Sequence, residues 1–287
     1  MKPLLGMYVH MHWGYKHPYA ARTWTLDDWR SYAGGLAALG YNLIMIWPML
    51  ETIPDPPTQS DLAHLDKIRQ VIDILHSEFG MQVLITLGPN VMGHDRAAEF
   101  SFEERPYFQS DLRLNPGNPD DVDKLIRFRR SLYSYLGKAD GCSIIDGDPG
   151  GYIGSSNDEF ADLLWRHMEL IKEFNPSGQM FYWMWYGWEA YNNMWKMVQE
   201  TKGPIAFDVT ATDFDAVITK LMEHPEEQWG VLSCWPVHQE IVEKHGIEDR
   251  ALFFPYGLVE GEPTFPRTNY NPGAISKEFS RYDTQKM

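Results

Sequence analysis

Apolar positions along this chain follow two alternating rhythms. Short apolar runs of roughly four to eight residues have the length of buried strands, and longer stretches in which apolar residues return every third or fourth position have the spacing of one helical face. The run "LLGMYVHMHW" predicts a first strand. The next stretch, "TLDDWRSYAGGLAALG", predicts a helix with Thr25 as its N-cap, Asp28 three residues on, and Gly40 as its stop. A second strand, "YNLIMIW", precedes "SDLAHLDKIRQVIDILHSEFG". There Leu62, Leu65, Ile68, Ile72 and Leu75 form one apolar face, Ser60 or Asp61 is the expected cap, and Gly80 ends the helix. After the third strand, "MQVLITL", comes a polar excursion over residues 88 to 117, a length that usually carries function in a compact domain.

The same alternation continues to the end. "NPDDVDKLIRFRRSLYSYLG" predicts a helix capped by Asn118 with Pro119 in its first turn, and "ADGCSIID" a fourth strand. A capping box of Ser156 and Glu159 opens the next helix, and "QMFYWMWYGW" is the fifth strand, with a helix expected near residues 189 to 200. "PIAFDV" predicts a sixth strand and "TDFDAVITKLMEH" a helix capped by Thr212. "WGVLSCW" and "ALFFPYG" predict the seventh and eighth strands, with a short helix between them ending at Gly246 and another opening at Asn271. Eight strand–helix units imply parallel pairing with right-handed crossovers. Together they predict one (β/α)8 barrel domain over residues 1–287, with an elongated loop after strand three. No strand leads into a Gly-x-Gly-x-x-Gly turn, which argues against an open dinucleotide-binding sheet.

Composition narrows the partners. Lys plus Arg total 25 against 40 Asp plus Glu, a net charge of −15, and a field of that sign disfavours nucleic acid and anionic membranes. No apolar run is long enough to cross a bilayer, and the opening lacks a signal-peptide pattern, so a soluble cytoplasmic chain is expected, or a secreted or periplasmic one if a leader has been removed. Cys142 and Cys234, the two cysteines, each sit in an apolar run and read as buried free thiols. The 11 Trp, 15 Tyr and 14 Phe exceed what core packing alone asks for, because they cluster at strand ends.

In a (β/α)8 barrel, chemistry sits where the strands end. The first strand ends in His10 and His12. Glu51 follows the second, Asn90 the third, Asp146 and Asp148 the fourth, Trp188 and Glu189 the fifth. The sixth carries Asp208, the seventh is followed by His238 and Glu240, and the eighth by Glu260 and Glu262. Two residues along a strand span about 6.6 Å, so Asp146 and Asp148 share a face with Cys142 and Ile144 if the strand persists. Desolvated carboxylates that close cannot both ionise cheaply, which yields a proton donor beside a charged stabiliser. Pro149, Gly150 and Gly151 permit a tight turn close to a ligand. In "FYWMWYGWEAYNNMW", Trp183 and Trp185 share a strand face and Trp188 follows Gly187, offering flat aromatic surfaces suited to a sugar ring. One of Trp183 and Trp185 is expected to pack under the helices.

His10-x-His12 also resembles the metal-binding opening of amidohydrolases. That family would place a Lys after strand four and His after strands five and six, where this chain has Asp146, Glu189 and Asp208. On "IIDGDPGG", "WMWYGWEAY", and "YNLIMIWPMLE" after "WTLDDWRSYAGGLAALG", the chain resembles glycoside hydrolases of the (β/α)8 class. It is similar in layout to the hexosaminidase-like and α-galactosidase-like groups, but at the end of strand four it has Asp146-Gly147-Asp148 where the former want an adjacent Asp-Glu pair, and it lacks the Asn-Glu-Pro run of cellulase-like barrels.

The resemblance implies hydrolysis of a glycosidic bond without a cofactor or metal. Asp148 or Glu189 is the expected proton donor, and Asp146 the nucleophile or electrostatic stabiliser. His10, His12, Glu51, Asn90, Asp208, His238 and Arg267 would hold the sugar, and Trp188 would stack on it. Two alternatives stand beside it. One is a metal-dependent sugar isomerase or epimerase using Glu189, Asp208, His238 and Glu260, and the other is a non-catalytic carbohydrate-binding barrel.

Overall fold

The computed structural model describes residues 4–11, 20–105, 111–145, 152–153, 155–185, 209–210, 213–233 and 237–253. From the N-terminus, β1 (Gly6–His10) leads to α1 (Leu26–Ala38), β2 (Leu43–Trp47) to α2 (Gln59–Phe79), and β3 (Gln82–Leu87) to a long excursion. That excursion holds β4 (Val91–Gly93) and β5 (Asp111–Arg113), an antiparallel pair, and ends at α3 (Pro119–Leu136). Then come β6 (Gly141–Ile145), β7 (Tyr152–Ile153), α4 (Asn157–Phe174), β8 (Gln179–Met184) and β9 (Val209–Thr210). The last described elements are α5 (Phe214–Leu221), β10 (Trp229–Ser233), α6 (Val237–His245) and β11 (Ala251–Phe253).

Seven of the strands form one parallel sheet in the order β1-β2-β3-β6-β8-β10-β11. Tyr8 on β1 and Trp183 on β8 meet edge to face, with ring centroids 5.1 Å apart. Between their strands lie β2, β3 and β6, which in a flat sheet would separate them by about 19 Å at about 4.8 Å per step. The sheet is therefore curled, and these rings fill its concave side. Alternation sends their neighbours the other way: Tyr182 packs on Phe160 of α4 and Phe214 of α5. Trp183 thus lies inside the curl, and the helix-covered side belongs to Tyr182. Thr86 and Ser143, partners on β3 and β6, share a 3.2 Å hydroxyl contact that satisfies two polar groups within the sheet.

The local signals for helix ends are largely obeyed. Thr25 with Asp28 and Ser156 with Glu159 form reciprocal capping boxes, Asn118 caps α3 with Pro119 behind it, and Gly80 closes α2 at φ 62°. Two caps differ. Thr58, paired with Asp61, starts α2 in place of Ser60 or Asp61, because its hydroxyl reaches the Asp61 amide. Asp213 accepts from the Ala216 amide at the head of α5, the role expected of Thr212, which lies outside the described residues.

The strand count also differs. β8 and β10 pair directly, from Met180 opposite Trp229 to Met184 opposite Ser233. Their backbone groups satisfy each other, so no strand stands between them, and the predicted sixth strand has no place in the sheet there. Of "PIAFDV" the described part is Val209, which with Thr210 pairs antiparallel to Tyr152–Ile153. Among the described residues the sheet has seven strands, with β1 and β11 at its edges. The expected helices near residues 189 to 200 and after Asn271 lie outside the described residues. No helix among the described residues is long and apolar enough to cross a membrane.

Candidate functional site

The C-terminal edge of the curled sheet gathers the polar groups. His10 ends β1 opposite Trp47, the last residue of β2, and their rings lie 4.5 Å apart. Both are nearly buried. After Trp47 the chain turns sharply: Met49 adopts the left-handed region at φ 63°, uncommon for a side chain of its size. The turn brings Glu51 back beneath Trp47, whose indole Nε1 donates to Glu51 Oε2 at 2.9 Å.

The other carboxylate oxygen of Glu51 accepts the Gly88 N–H at the end of β3. A Cβ on residue 88 would stand 3.3 Å from the Glu51 carboxylate, so glycine is what lets the acid lie flat against this backbone. The Gly88 carbonyl is held from the opposite side. Arg129 Nη2, reaching from α3, donates to it at 3.0 Å and also to the Val91 carbonyl. Glu51 and Arg129 therefore hold the two peptide groups that flank the Gly88 Cα at the mouth.

Both charges are fully enclosed. Burial pushes the Glu51 carboxyl above its usual range, against the opposing pull of Arg129, the Gly88 N–H and Trp47. Burial also lowers the guanidinium of Arg129, with the Glu51 charge opposing that shift. Arg129 Nε and Nη1 have no hydrogen-bond partner among the described residues, so the carboxylate balances that charge through space. Behind the pair, Cys142 sits buried against Tyr133 of α3, and burial raises its thiol well out of nucleophilic range. Cys142 is a buried free thiol, as expected, and Cys234 lies outside the described residues.

Asn90 follows directly. Its side-chain amide donates to the Leu114 carbonyl at 2.9 Å and its own carbonyl accepts the Leu114 N–H at 2.8 Å. It ties the two ends of the excursion together. The excursion is anchored further out by Arg105, whose guanidinium pairs with Asp61 on α2 with both side chains wholly excluded from solvent. Gly93 closes the gap between the β2 and β3 loops, donating to the Ile53 carbonyl at 2.8 Å.

Of the sequence-predicted site residues, His10, Glu51 and Asn90 are brought to this edge. His238 is not at the concave side. Its Nδ1 meets Ser233 Oγ at 2.9 Å, its ring packs on Phe214, and it is 1% exposed. Ser233 pairs with Met184, whose neighbour Trp183 is concave, so alternation places this histidine on the helix-covered face. His12, Asp146, Asp148, Trp188, Glu189, Asp208 and Arg267 lie outside the described residues. Cys142, by contact with α3, belongs to the helix-covered face, so strict strand alternation would not aim Asp146 and Asp148 into the curl. Among the described residues, no three His, Cys, Asp or Glu side chains gather closely enough to hold a metal ion.

Sequence reasoning passed over Arg129 and Gly88. The signal was present. Arg129 falls on the apolar stripe of α3 with Leu125, Leu132, Tyr133 and Leu136, and a charge on such a stripe is either buried with a partner or an error.

No protein-family model matches the chain, and no curated protein matches it. Solved structures overlap it partially. The GH5_18 protein from Streptomyces cattleya in complex with GlcNAc is 17% identical over 63% of this chain and 44% of its own, with a TM-score of 0.44. A glycoside hydrolase family 20 β-N-acetylglucosaminidase is 11% identical over 80% of this chain and 52% of its own, at 0.45. The β-glucosidase from Thermotoga maritima is 12% identical over 80% and 64%, at 0.44. The chain spans about half the length of the first two, and overlaps this partial leave its site to be read from its own residues.

Proposed function

We propose that this protein cleaves glycosidic bonds, with Asp146, Asp148 and Glu189 as the reacting carboxylates. The observation that carries the reading is the register of β6 and β8. Ile145 stands opposite Trp183, so β6 and β8, the strands that precede Asp146 with Asp148 and Trp188 with Glu189 in sequence, are adjacent and parallel and end at one edge, which supports the reading. It is the edge at which His10, Trp47, Glu51 and Asn90 already stand.

In this reading Asp148 or Glu189 protonates the leaving oxygen, and Asp146 is the nucleophile or the stabiliser of the oxocarbenium-like centre. Because Cys142 faces the helices, the reading requires the chain to abandon strand alternation after Ile145, which Gly147 and the Pro149–Gly150 pair favour. His10, His12, Asn90, Asp208 and Arg267 hold hydroxyls, and Trp188 stacks on the ring. Glu51 takes a different part: with its oxygens accepting from Trp47 and Gly88, it shapes the mouth. The enclosed His238 is a poor ion ligand, which weighs against a metal-dependent isomerase.

The test is turnover on a broad panel of aryl glycosides, with Asp146→Asn and Asp148→Asn alongside. Each substitution should lower turnover by orders of magnitude while leaving the thermal melt unchanged. Wild-type activity in either variant removes that residue from the mechanism. Sugar binding without turnover on the whole panel would make the protein a carbohydrate-binding barrel.

A further inference from the structure

His10 and Trp47 are the last residues of β1 and β2 and stand opposite each other in the sheet. Tyr8, two residues before His10, points into the curl, so alternation points His10 there too, and its ladder partner Trp47 with it. The rings of His10 and Trp47 lie 4.5 Å apart and 41° from parallel. Tyr8 stands edge-on to the imidazole, 6.0 Å away at 74°. Strand geometry fixes where these side chains leave the backbone. It does not fix how the indole is turned, because an aromatic side chain keeps a second, broad torsion.

Glu51 sets that second torsion. The Trp47 indole N–H donates to Glu51 Oε2 at 2.9 Å. Turning the indole over would break that bond and leave a buried carboxylate oxygen without its donor. The carboxylate is itself held in place. It is 2% exposed, its other oxygen accepts the Gly88 N–H, and Arg129 of α3 donates to the Gly88 carbonyl at 3.0 Å. A fixed acceptor therefore selects one setting of the Trp47 ring, and that ring is a surface against which His10 packs.

A buried ion pair is a poor way to gain stability. Replacing one with apolar residues of like volume is often neutral or favourable, so enclosing Glu51 and Arg129 points to a task other than holding the fold. We propose that Glu51 is a positioning residue for His10 and acts through Trp47. It sets the indole face against which the imidazole packs, and so the direction in which the imidazole meets a sugar hydroxyl. The proposal rests on the reading of His10 as a residue that holds the sugar. It adds that recognition of that hydroxyl depends on a carboxylate standing behind the contact.

Nuclear magnetic resonance of the full chain with labelled histidine tests the coupling without any substrate. His10→Gln identifies the His10 signal among the ten histidines. Glu51→Gln keeps the shape of the side chain. It should shift the His10 ring-proton resonances, because a reoriented indole changes its ring current there. His76, paired with Asp140 at the opposite end of the sheet, is the control and should not move. In a Trp47→Phe background, Glu51→Gln should no longer shift the His10 resonances, because the connecting N–H is gone. On a glycoside that the wild type turns over, Glu51→Gln and Trp47→Phe should each lower kcat/KM on the order of tenfold, the worth of one hydrogen bond, and neither should lower it further in His10→Ala. His10 resonances that Glu51→Gln leaves in place, or shifts equally with Trp47→Phe already present, would overturn the proposal. Full additivity with His10→Ala would overturn it as well. A wild type that turns over no glycoside ends the glycosidase reading, and the resonances still decide this one.

Discussion

Arg105 and Asp61 meet in a two-pronged ion pair, at 2.6 and 3.3 Å, with neither side chain reaching solvent. Asp61 belongs to the capping box that starts α2, and Arg105 to the excursion after β3. Arg105 also donates to the carbonyls of Thr52, Ala97 and Phe100. One guanidinium therefore joins the β2 loop, the head of α2 and the excursion. Arg105→Met should leave Asp61 charged and unpaired in the interior, at a cost of about 3–5 kcal/mol. Arg105→Lys should recover little, since a single ammonium cannot reproduce the fork. Denaturant titration checks the size of the loss, and limited proteolysis should find new cleavage within residues 94–104.

Glu51 is suited to its place because it only accepts. Gly88 and Trp47 both bring N–H groups to it. A glutamine there would turn its own N–H2 toward one of those donors and leave Arg129 without a counter-charge. Glu51→Gln should therefore destabilise the fold by about 1–3 kcal/mol at neutral pH, although it removes a buried charge. A more stable variant in chemical denaturation would mean that burial of the charge outweighs its contacts.

Acid should weaken the protein through its enclosed histidines. Burial lowers His64 to about 3, and His167 and His238 to about 4. In the unfolded chain the same rings take up protons near about 6.5, so between those values the unfolded state binds more protons than the folded one. The stability of the neutral rings is complete above about 6.5 and is lost as pH falls toward 4, at about 1.4 kcal/mol per pH unit for each ring. Urea midpoints at about pH 7.5 and about pH 5 should show the drop. His167→Gln keeps a donor for the Leu163 carbonyl, so it should flatten the dependence by about a third.

Gly93 is where the β2 and β3 loops touch. A Cβ there would lie 2.4 Å from the Ile53 backbone carbon and 2.5 Å from the Thr52 carbonyl oxygen, and neither can give way as a flexible side chain would. Gly93→Ala should force the loops apart and cost about 1–3 kcal/mol, the usual scale of overpacking. Hydrogen exchange should quicken at residues 50–53 and 91–93. Unchanged exchange there would show that the loops move together.

What the sequence discloses here is what is local. Caps such as Thr25–Asp28 and Ser156–Glu159 are legible because donor and acceptor lie three residues apart. Seven of the eight predicted strands pair in the parallel sheet, and helices such as α2 and α3 carry an apolar stripe that reads directly from its spacing. Pairing partners are not local. "PIAFDV" has the length and apolarity of a strand, but nothing in six residues records that β8 and β10 have already satisfied each other. The site is legible in the same uneven way. His10, Glu51 and Asn90 are found by position after a strand. The roles of Glu51 and His238 depend on Trp47, Gly88, Arg129 and Ser233, partners set by the fold. Arg129 and Asp61 were the recoverable exceptions, each a charge in register with an apolar helical face.

The proposed chemistry separates two residues that stand side by side in sequence. Trp188 offers a face to the sugar in ground state and transition state alike, so its loss removes binding common to both. Trp188→Ala should raise KM with a modest change in kcat, at about 1–3 kcal/mol if sugar covers most of the ring. Glu189 bears a charge or a proton that matters most as the glycosidic bond breaks. Glu189→Gln should lower kcat by orders of magnitude and leave KM nearly unchanged. The proposal takes its lead from the pairing of β6 with β8, the strands that precede Asp146 with Asp148 and Trp188 with Glu189 in sequence. Steady-state kinetics of the two variants on a substrate that the wild type turns over decide the matter. If Glu189→Gln keeps its kcat, the third carboxylate must come from another segment, and Asp208 is then the residue to replace.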